Sequence, residues 1–561
     1  MTGCFLQVIC WRAVASIAWA VLLLPSITAV FVVLSRFSLL HPIQTVSECL
    51  SFLTSASAIF SFILLCGVII MVGFLNLEYY TVIPTIACSK IALLGQLLHP
   101  RQFVNSLAHC IMGIIVAWCC AIAIGGRYET IAYPCTPGDG ADSSHQMCLN
   151  EHHFILLLAG AFVGLSHSML GVIYNMNYVP FLTVQQYKYL RFKGSLPSLV
   201  KCSATQALYS VRNYIVVSVH PLDSIAGLLD LNLLYQLWVS AGFLLLTWHV
   251  TLLLFRIFVT EVYSFPVQSS FTEDAHQCLP KVITGKQPMI LKFLALQDLA
   301  LLSQHSPLRR SEVFSLSQPG GHPHNWNAIS KECLSLLNDL TQRLIAYHDT
   351  VATNGRAKSL STGSERKTSS ETSNSQVNGS PPASPASVPS PKQEPSKPSL
   401  LAQFLQNRKE QLNHTNHFCA ATGEMNQEEG HKSSRSLQSG SVCRQPGSHL
   451  GLEGLSYLVQ ASFSEDQFGV VQTALPSILG CMLVLQEAVD RHFKLPHASS
   501  KPVRSASSLG DSTHKTLRFA LRATLKTAIY RITTTFGNHL SAVQMSAEHR
   551  KRLQQFLENK E

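Results

Sequence analysis

The chain has 561 residues, of which 47% are hydrophobic and only 13% are charged. About a quarter of the residues of a soluble protein are charged, so this composition excludes a wholly soluble chain and indicates that part of it lies in lipid. The formal net charge of +10 is spread through loops and tail without a zinc-finger, homeodomain or RNA-binding signature, so no direct nucleic-acid partner is expected.

Five stretches before Thr260 are long and apolar enough to cross a bilayer. A crossing helix needs about 20 mainly apolar residues, because each residue advances about 1.5 Å through a hydrocarbon layer about 30 Å thick. The five predicted spans are 13–34, 52–75, 104–124, 154–174 and 233–259. The first is too long for a signal peptide and no small-residue cleavage site follows it, so it is predicted to be an anchor.

A sixth, weaker stretch at 203–219 carries Arg212 near its centre. A charge there costs about 2.5 to 3.5 kcal/mol on insertion scales, so the flanking loops must decide whether the stretch crosses. Cytoplasmic loops are enriched in Lys and Arg relative to lumenal loops. With six spans, the cytoplasmic loops would contain six basic residues and the lumenal loops two. The six are Lys90, Arg101, Lys188, Arg191, Lys193 and Lys201, and the two are Arg36 and Arg127. The sequence therefore predicts six spans in residues 1–260, with both termini cytoplasmic.

Two features of the membrane half concern packing and cross-linking. The predicted lumenal loop 125–153 contains Cys135 and Cys148, which either form a disulfide in an oxidising lumen or remain free thiols in a flexible loop. In the fourth span, Gly160 and Gly164 form a GxxxG pair, a spacing that lets a second helix approach closely but also occurs by chance. We expect this pair to form a helix-packing face.

After Thr260 the pattern changes to that of a cytoplasmic helical region, residues 261–350. Helices are predicted at Met289–Gln304 and Asn327–Tyr347. In the second helix, apolar residues recur at intervals of three and four and form one stripe that must pack against something. This stripe consists of Ile329, Cys333, Leu336, Leu337, Leu340 and Leu344. Residues 351–450 are rich in Ser, Asn, Gln, Gly and Pro, which predicts a disordered linker.

Order is predicted to return in residues 451–561, a C-terminal cytoplasmic helical domain. Two helices broken near Pro476 are followed by a basic helical region at His514–Gln555. One stripe of that region holds Lys515, Arg518, Arg522 and Lys526, and beside it lie Leu517, Leu521 and Leu525. The arrangement suits an acidic membrane surface or an acidic partner helix. In the alternative interpretation, the apolar stripe packs in the domain's own core and the basic stripe is solvated.

The membrane half lacks the groups that a transporter, channel or enzyme normally uses. The candidate ionisable groups within its spans are Arg212, His109, His167 and His249. No Asp or Glu lies inside a span to pair with them. His322 and His324 lie in a turn and are weak evidence for a metal. We therefore expect no enzyme, no cofactor and no metal, and we keep a multi-pass transporter or channel with a regulatory tail as the alternative.

Five long strings in the chain are distinctive enough to indicate a family. They are YVPFLTVQQYKYLRF (178–192), FSLSQPGGHPHNW (314–326), FGVVQTALPSIL (468–479), LPHASSKP (495–502) and KTLRFALRATLKTAIYRITTTFG (515–537). These strings closely resemble the vertebrate transmembrane nucleoporin of the nuclear-division-cycle family, and the resemblance covers nearly the whole chain. The regions 219–221 and 351–450 look shorter here than in the family.

The resemblance implies an all-α polytopic membrane protein with six transmembrane helices, followed by a cytoplasmic helical domain that a disordered linker interrupts. It also implies a structural nucleoporin that anchors the nuclear pore complex in the nuclear envelope and supports pore assembly. Such a protein would be made in the endoplasmic reticulum and reside in the pore membrane. Its implied partners are the lipid bilayer and soluble scaffold nucleoporins, including aladin and a membrane-binding nucleoporin with an RNA-recognition-type fold.

Overall fold

A computed structural model describes most of the chain. The described residues are 3–36, 47, 49, 51–52, 54–83, 90–134, 147–181, 186–218, 230–268, 278–285, 287–316, 319–364, 446–494 and 511–558. Within these ranges, the description covers the backbone only at 3–6, 90–92, 134, 217–218, 350–364, 446, 511–518 and 538. The described part of the chain is almost entirely helical, apart from one two-stranded sheet.

The first half forms a bundle of long apolar helices. They are α1 (Gly3–Arg36), α2 (Ala56–Tyr79), the short α3 (Lys90–Leu97), α4 (Pro100–Ile124), α5 (Glu151–Ile173), α6 (Lys188–Ser218) and α7 (Leu231–Val259). Among the described residues, five helices are long and apolar enough to cross a membrane, namely α1, α2, α4, α5 and α7. These five coincide with the five strong spans that the sequence predicts.

Helices α1 and α7 run antiparallel along their length. At one end of the bundle, the Arg12 guanidinium donates a 3.3 Å hydrogen bond to the carbonyl of Val259. At the other end, the Gln236 amide donates a 2.8 Å hydrogen bond to the carbonyl of Ser35. We call the end near Arg12 the domain end, because the second half of the chain packs there, and the end near Ser35 the distal end.

Helix α6 begins at Lys188, well before the start of the predicted weak span. Near its beginning, the Arg191 side chain donates a 3.0 Å hydrogen bond to the Thr260 hydroxyl, at the domain end. Near its end, the Tyr214 hydroxyl donates a 3.2 Å hydrogen bond to the carbonyl of Ile155, in the first turns of α5 at the distal end. Helix α6 therefore lies beside its neighbours from one end of the bundle to the other.

A small hairpin lies at the distal end. Strands β1 (Ala132–Pro134) and β2 (Met147–Leu149) pair antiparallel, with Tyr133 opposite Cys148. The Asn150 side chain that follows donates 2.7 Å hydrogen bonds to the carbonyls of Arg127 and Thr130. The hairpin is thereby fixed to the first turn of α5.

The second half forms a helical domain. Its helices are α8 (Leu279–Thr284), α9 (Met289–His305), α10 (Pro307–Phe314), α11 (His324–Ser364), α12 (Pro446–Glu465), α13 (Leu475–Lys494), α14 (Asp511–Phe536) and α15 (Ala547–Leu557). A 3-10 turn, Gly537–Ala542, separates the last two.

Three boundaries differ from those that the sequence predicts. Helix α11 continues to Ser364, because extending an existing helix adds one hydrogen bond for each residue that is fixed. Helix α12 begins at Pro446, so only 365–445 of the predicted linker lies outside the described residues. The predicted basic helix ends at Phe536, because Gly537 has a φ of 44°, a conformation that ends an α-helix.

Two apolar cores stabilise this arrangement. One lies inside the bundle, and the other fills the helical domain and continues into the domain end of the bundle. The second core includes Ile9 and Ala13 from α1, Val82 and Val179 from two loops, and Val259 from α7. The domain therefore packs directly against the bundle, on the same end as the first helical turns of the chain.

Candidate anchoring site between the bundle and the helical domain

An arginine from α1 holds the C-terminal end of α7. The last carbonyl groups of a helix lack partners within the helix, and Arg12 donates hydrogen bonds to the carbonyls of Val259, Glu261 and Val262. Its guanidinium also lies 5.7 Å from the ring centroid of Tyr263, at the start of the domain. This one side chain therefore joins the first helix, the last membrane helix and the domain.

Two loops of the bundle also reach the domain. Backbone hydrogen bonds of 2.9 Å join Thr81 to Asn177 and to Val179, so the loop after α2 pairs with the loop after α5. Val179 is buried in the core of the domain, and the Phe181 ring lies 5.4 Å from the Phe293 ring of α9. The ends of α2 and α5 are therefore held against α9.

A buried carboxylate fixes the segment after α7 to the domain. Asp298 of α9 accepts a 2.9 Å hydrogen bond from the Phe265 backbone N–H and bonds of 2.8 and 2.7 Å from the Arg309 guanidinium. Arg309 also donates to the Phe265 carbonyl at 2.6 Å. The hydrogen bonds to Asp298 raise the pKa of Arg309, so the guanidinium stays charged. A buried carboxylate needs such partners, and Asp298 is therefore a fixed point of the junction.

A second ion pair joins the parts of the domain on either side of the predicted linker. Both Nε and Nη2 of Arg310 donate to the Glu465 carboxylate, at 2.8 and 2.6 Å. Bidentate pairs of this kind define the orientation of both side chains. A 3.2 Å hydrogen bond from Gln304 to Glu453 crosses the same boundary. Residues before 365 and after 445 therefore fold into one domain.

The predicted apolar stripes lie in the core of this domain. Five members of the α11 stripe are at most 1% exposed, namely Ile329, Cys333, Leu337, Leu340 and Leu344, and Leu336 is partly buried against the same core. In α14, Leu521 and Leu525 are each 1% exposed, while the Leu517 side chain lies outside the described residues. The described members of both stripes stabilise the domain itself and do not form a free partner surface.

Part of the predicted basic stripe contacts other residues of the domain. The Arg522 Nε donates a 2.7 Å hydrogen bond to Asp490 of α13, and the guanidinium lies 5.1 Å from the Phe493 ring centroid. Lys526 is half-buried, and the Lys515 and Arg518 side chains lie outside the described residues. Arg522 is therefore not left to solvent or to an external acidic partner, because a carboxylate of the neighbouring helix faces it.

The predicted glycine pair lies where α4 and α5 are closest. A methyl group on Gly160 would overlap the carbonyl oxygen of Gly113, and one on Gly164 would overlap the carbonyl oxygen of His109. Gly113 on α4 thus contributes a third glycine to the contact, which the spacing within α5 alone could not predict. The backbones of the two helices approach so closely that only hydrogen fits between them.

Three histidines from three helices meet inside the bundle. The ring centroid of His167 lies 5.6 Å from that of His109 and 5.3 Å from that of His249. The Trp248 ring lies within 5.2 Å of the first two, and His249 Nδ1 shares a 2.8 Å hydrogen bond with the Ser203 hydroxyl. The sequence identifies each histidine singly, and only the packing of α4, α5 and α7 brings them together.

The remaining candidate residues lie apart from one another. Cys148 is disulfide-bonded, and Cys135 lies outside the described residues. Across the described ranges, three or more His, Cys, Asp or Glu side chains nowhere come together in an arrangement that could hold a metal ion. Arg212 is exposed on α6, with its guanidinium 5.3 Å from the Tyr209 ring centroid.

Aromatic side chains remain exposed around the break between α12 and α13. Phe463 is 52% exposed and Phe468 is 61% exposed. The Phe463 ring contacts Phe536 edge-on, with centroids 5.4 Å apart, and lies 5.9 Å from the His539 ring. Sequence reasoning missed this patch, because aromatic residues inside helical stretches are usually assigned to a core.

The described residues define a class of protein: a polytopic membrane bundle that carries a helical domain packed on one end. Comparison with known proteins gives the family. Residues 7–554 match the family described as Nucleoporin protein Ndc1-Nup. The chain is 51% identical to Nucleoporin NDC1 of Danio rerio and 45% identical to that of Homo sapiens, over 99% of this chain and 98% and 97% of those relatives. The Caenorhabditis elegans Nucleoporin ndc-1 is 28% identical over 52% of this chain.

The chain therefore belongs to the Ndc1-Nup family, and it is a transmembrane nucleoporin of the nuclear pore complex. Membership of this family does not support the alternative interpretation, a multi-pass transporter or channel with a regulatory tail. The alignments with the fish and human proteins span 666 and 661 positions, more than the 561 residues of this chain, so those relatives carry internal residues that it lacks. The regions that look shorter than in the family, 219–221 and most of the linker, lie outside the described residues.

Proposed function

We propose that this chain anchors the scaffold of the nuclear pore complex in the pore membrane by holding a partner-binding domain rigidly on a membrane bundle. The observation that carries the proposal is the apolar core shared by the domain and the domain end of the bundle, from Ile9 to Phe556. A force on such a domain is transmitted to the membrane helices, because a packed core deforms little.

Six crossings are part of this proposal. Residues 191–214 of α6 advance about 35 Å along the helix axis, more than the hydrocarbon thickness of about 30 Å. Their contacts run from Thr260 at the domain end to Ile155 at the distal end, which supports a full crossing by α6. Arg212, which makes this segment weak by hydropathy, is exposed about two turns from the helix end, within reach of the interface by snorkelling.

Both termini and the domain are proposed to face the cytoplasm. The domain end carries the basic residues Arg12, Arg101, Lys188 and Arg191, whereas the distal end carries Arg36 and Arg127. This distribution agrees with a cytoplasmic domain end under the positive-inside rule. The protein would then enter the endoplasmic reticulum membrane during synthesis and reach the nuclear envelope with its domain outside the lumen.

A lumenal disulfide between Cys135 and Cys148 fits the same orientation. The hairpin pairs Pro134, which directly precedes Cys135 in the sequence, with Met147, which directly precedes Cys148. Cys148 is already disulfide-bonded, and the lumen is an oxidising compartment. The bond would close the hairpin at the distal end.

Soluble scaffold nucleoporins are the proposed partners of the helical domain. The family resemblance names aladin and a membrane-binding nucleoporin with an RNA-recognition-type fold, and exposed aromatic side chains are frequent anchors of protein interfaces. Phe463 and Phe468 supply such anchors here. The stretch 365–445 is proposed to be a disordered linker within the cytoplasmic part of the chain.

The test is the localisation of a full-length fluorescent chain, with capture of its partners. We expect the chain to concentrate at nuclear pores and to co-purify with scaffold nucleoporins. The double variant Phe463→Ser, Phe468→Ser should stay in the membrane but lose about 10-fold or more of a captured partner, the effect of removing a hot-spot aromatic. Val484→Ser, at another exposed apolar position of the domain, is the control. An even spread of the unaltered chain through the reticulum would contradict the proposal.

A further inference from the structure

The bundle contains a cavity that opens on its outer surface. The cavity has a volume of about 320 Å³ and lies between α1, α2, α4 and α7, toward the distal end. Most of its lining is apolar, and two lining residues, Pro25 and Ile59, are exposed on the outer surface of the bundle. Cavities from about 300 Å³ upward hold small ligands. This one therefore has both the size and the lateral access to accept an apolar group from the bilayer.

The sequence of α1 accounts for the position of the cavity. Toward the domain end, α1 and α2 touch so closely that a methyl group on Gly73 would overlap the Ile17 side chain. Pro25 then removes one backbone hydrogen bond from the continuous helix α1, because it has no N–H to donate to the carbonyl of Val21, and its ring favours a bend. The cavity begins at Pro25, where the two helices no longer fill the space between them.

Two hydroxyl groups line this apolar space without a hydrogen-bond partner. They are Thr28 Oγ1 and Ser61 Oγ, both buried and both unpaired among the described residues. A Ser or Thr hydroxyl inside a helix usually bonds back to a carbonyl of the preceding turn. An unpaired buried hydroxyl is costly, so these two groups favour an occupant that brings polar oxygen atoms with it.

A cation lies beside the cavity on its distal side. The Arg36 guanidinium is 4.5 Å from the ring centroid of Phe52, and its Nε donates a 2.7 Å hydrogen bond to the carbonyl of Ala123. Phe52 and Ala123 both line the cavity. None of the ion pairs in the described part of the chain involves Arg36. Among the described residues, no carboxylate pairs with its remaining N–H groups, which can therefore bind an anion at the level of the lipid headgroups.

We propose that this cavity binds an anionic glycerophospholipid of the leaflet at the distal end. One acyl chain occupies the apolar space, an ester group hydrogen-bonds with Thr28 and Ser61, and the headgroup, with its net negative charge, lies against Arg36. A sterol could use the apolar space and the hydroxyls, but it would leave the cation unpaired, so the charge favours the phospholipid. The inference requires the bundle to lie in a membrane and is independent of the partners of the helical domain.

The test uses the full-length chain in phosphatidylcholine vesicles doped with phosphatidylserine that carries a photoreactive diazirine on its acyl chain. After irradiation, mass spectrometry maps the cross-linked residues. Ser61→Phe fills the cavity, and Ile63→Phe, on the exposed face of the same helix, is its control. Arg36→Gln removes the cation, and Arg127→Gln is its control, because Arg127 lies at the same end but pairs with Asp230 at 2.9 Å.

We expect cross-links on 25–31 and 58–65 that disappear in Ser61→Phe and persist in both controls. Arg36→Gln should weaken them about tenfold, the loss expected for one charge-assisted hydrogen bond. A photoreactive phosphatidylcholine, whose choline cation offsets the charge of its phosphate, should label more weakly than the phosphatidylserine to a similar extent. Equal labelling by the neutral and anionic probes would overturn the proposal, as would labelling that survives Ser61→Phe or is displaced by excess sterol. If Ser61→Phe does not fold, the Arg36→Gln and headgroup comparisons decide.

Discussion

Charged side chains at the junction have nearly all their partners inside the protein. Asp298 binds a backbone N–H and a guanidinium, and Arg12 binds three carbonyl groups at the end of α7. Each of these side chains satisfies groups that the helices themselves leave unpaired. Their removal therefore costs more than one contact, because the remaining partners stay buried without a substitute.

Asp298→Asn should destabilise the junction by about 3 kcal/mol, because the Arg309 guanidinium would lose its buried counter-charge. Hydrogen–deuterium exchange of the α9 amides in the full-length protein would measure the loss as a lower free energy of local opening. Asp339→Asn is the matched control, since Asp339 forms an exposed pair with Arg343 and should change stability by about 0.5 kcal/mol or less. Equal effects of the two substitutions would contradict the role of Asp298.

His449 should make the domain sensitive to mild acid. Burial lowers the pKa of this imidazole to about 4, below the value near 6.5 in an unfolded chain. The folded state then binds fewer protons between these values, so its stability is complete above about pH 6.5 and falls as the pH drops toward 4, by at most about 3 kcal/mol. Thermal unfolding of the full-length protein at pH 7 and pH 5 measures this loss.

Two histidine substitutions test this assignment, one at the buried position and one at an exposed position as the control. His449→Leu should reduce the loss of stability on acidification, whereas His539→Leu, at an exposed position, should leave it as in the unaltered chain. An acid response that is the same in all three proteins would assign it to other groups.

At the scale of single elements, helices were predictable where one physical signal dominates. Hydropathy identifies α1, α2, α4, α5 and α7, because about 20 apolar residues have few alternatives to a membrane helix. It does not identify α6, whose buried side faces protein and whose mean hydropathy is lowered by Arg212 and by polar residues such as Ser203. The course of α6 becomes clear only from its contacts with α5 and α7.

The α4–α5 contact should be sensitive to a single methyl group. Gly160→Ala would push the new methyl against the Gly113 carbonyl and should destabilise the bundle by about 1 to 3 kcal/mol. Gly171→Ala, in the same helix with no neighbour within 4 Å of the added carbon, should be neutral or stabilising. The two variants are heated in detergent, and size-exclusion chromatography then measures how much of each remains in the monodisperse peak. Equal heat resistance of the two variants would contradict close packing at Gly160.

At the scale of the whole molecule, the sequence predicted the division into a membrane half and a helical half, but not how they join. The basic residues of α10 and the acidic residue at the end of α12 carry no signal that they pair, because 155 positions separate Arg310 from Glu465. The same holds for the histidine cluster and for the cavity beside Pro25. Such features depend on which helices become neighbours, and periodicity within one helix does not contain that information.

The central claim is that an even number of crossings leaves the domain on the cytoplasmic side, and the native glycosylation sequences test it most directly. Asn378 and Asn413 head two such sequences in the predicted linker, and Asp142→Asn would create a third in the predicted lumenal loop. We expect the unaltered chain to show no mass shift on treatment with an endoglycosidase, and the Asp142→Asn variant to show one. A glycan on Asn378 or Asn413 of the unaltered chain would mean that the domain faces the lumen and would contradict the account.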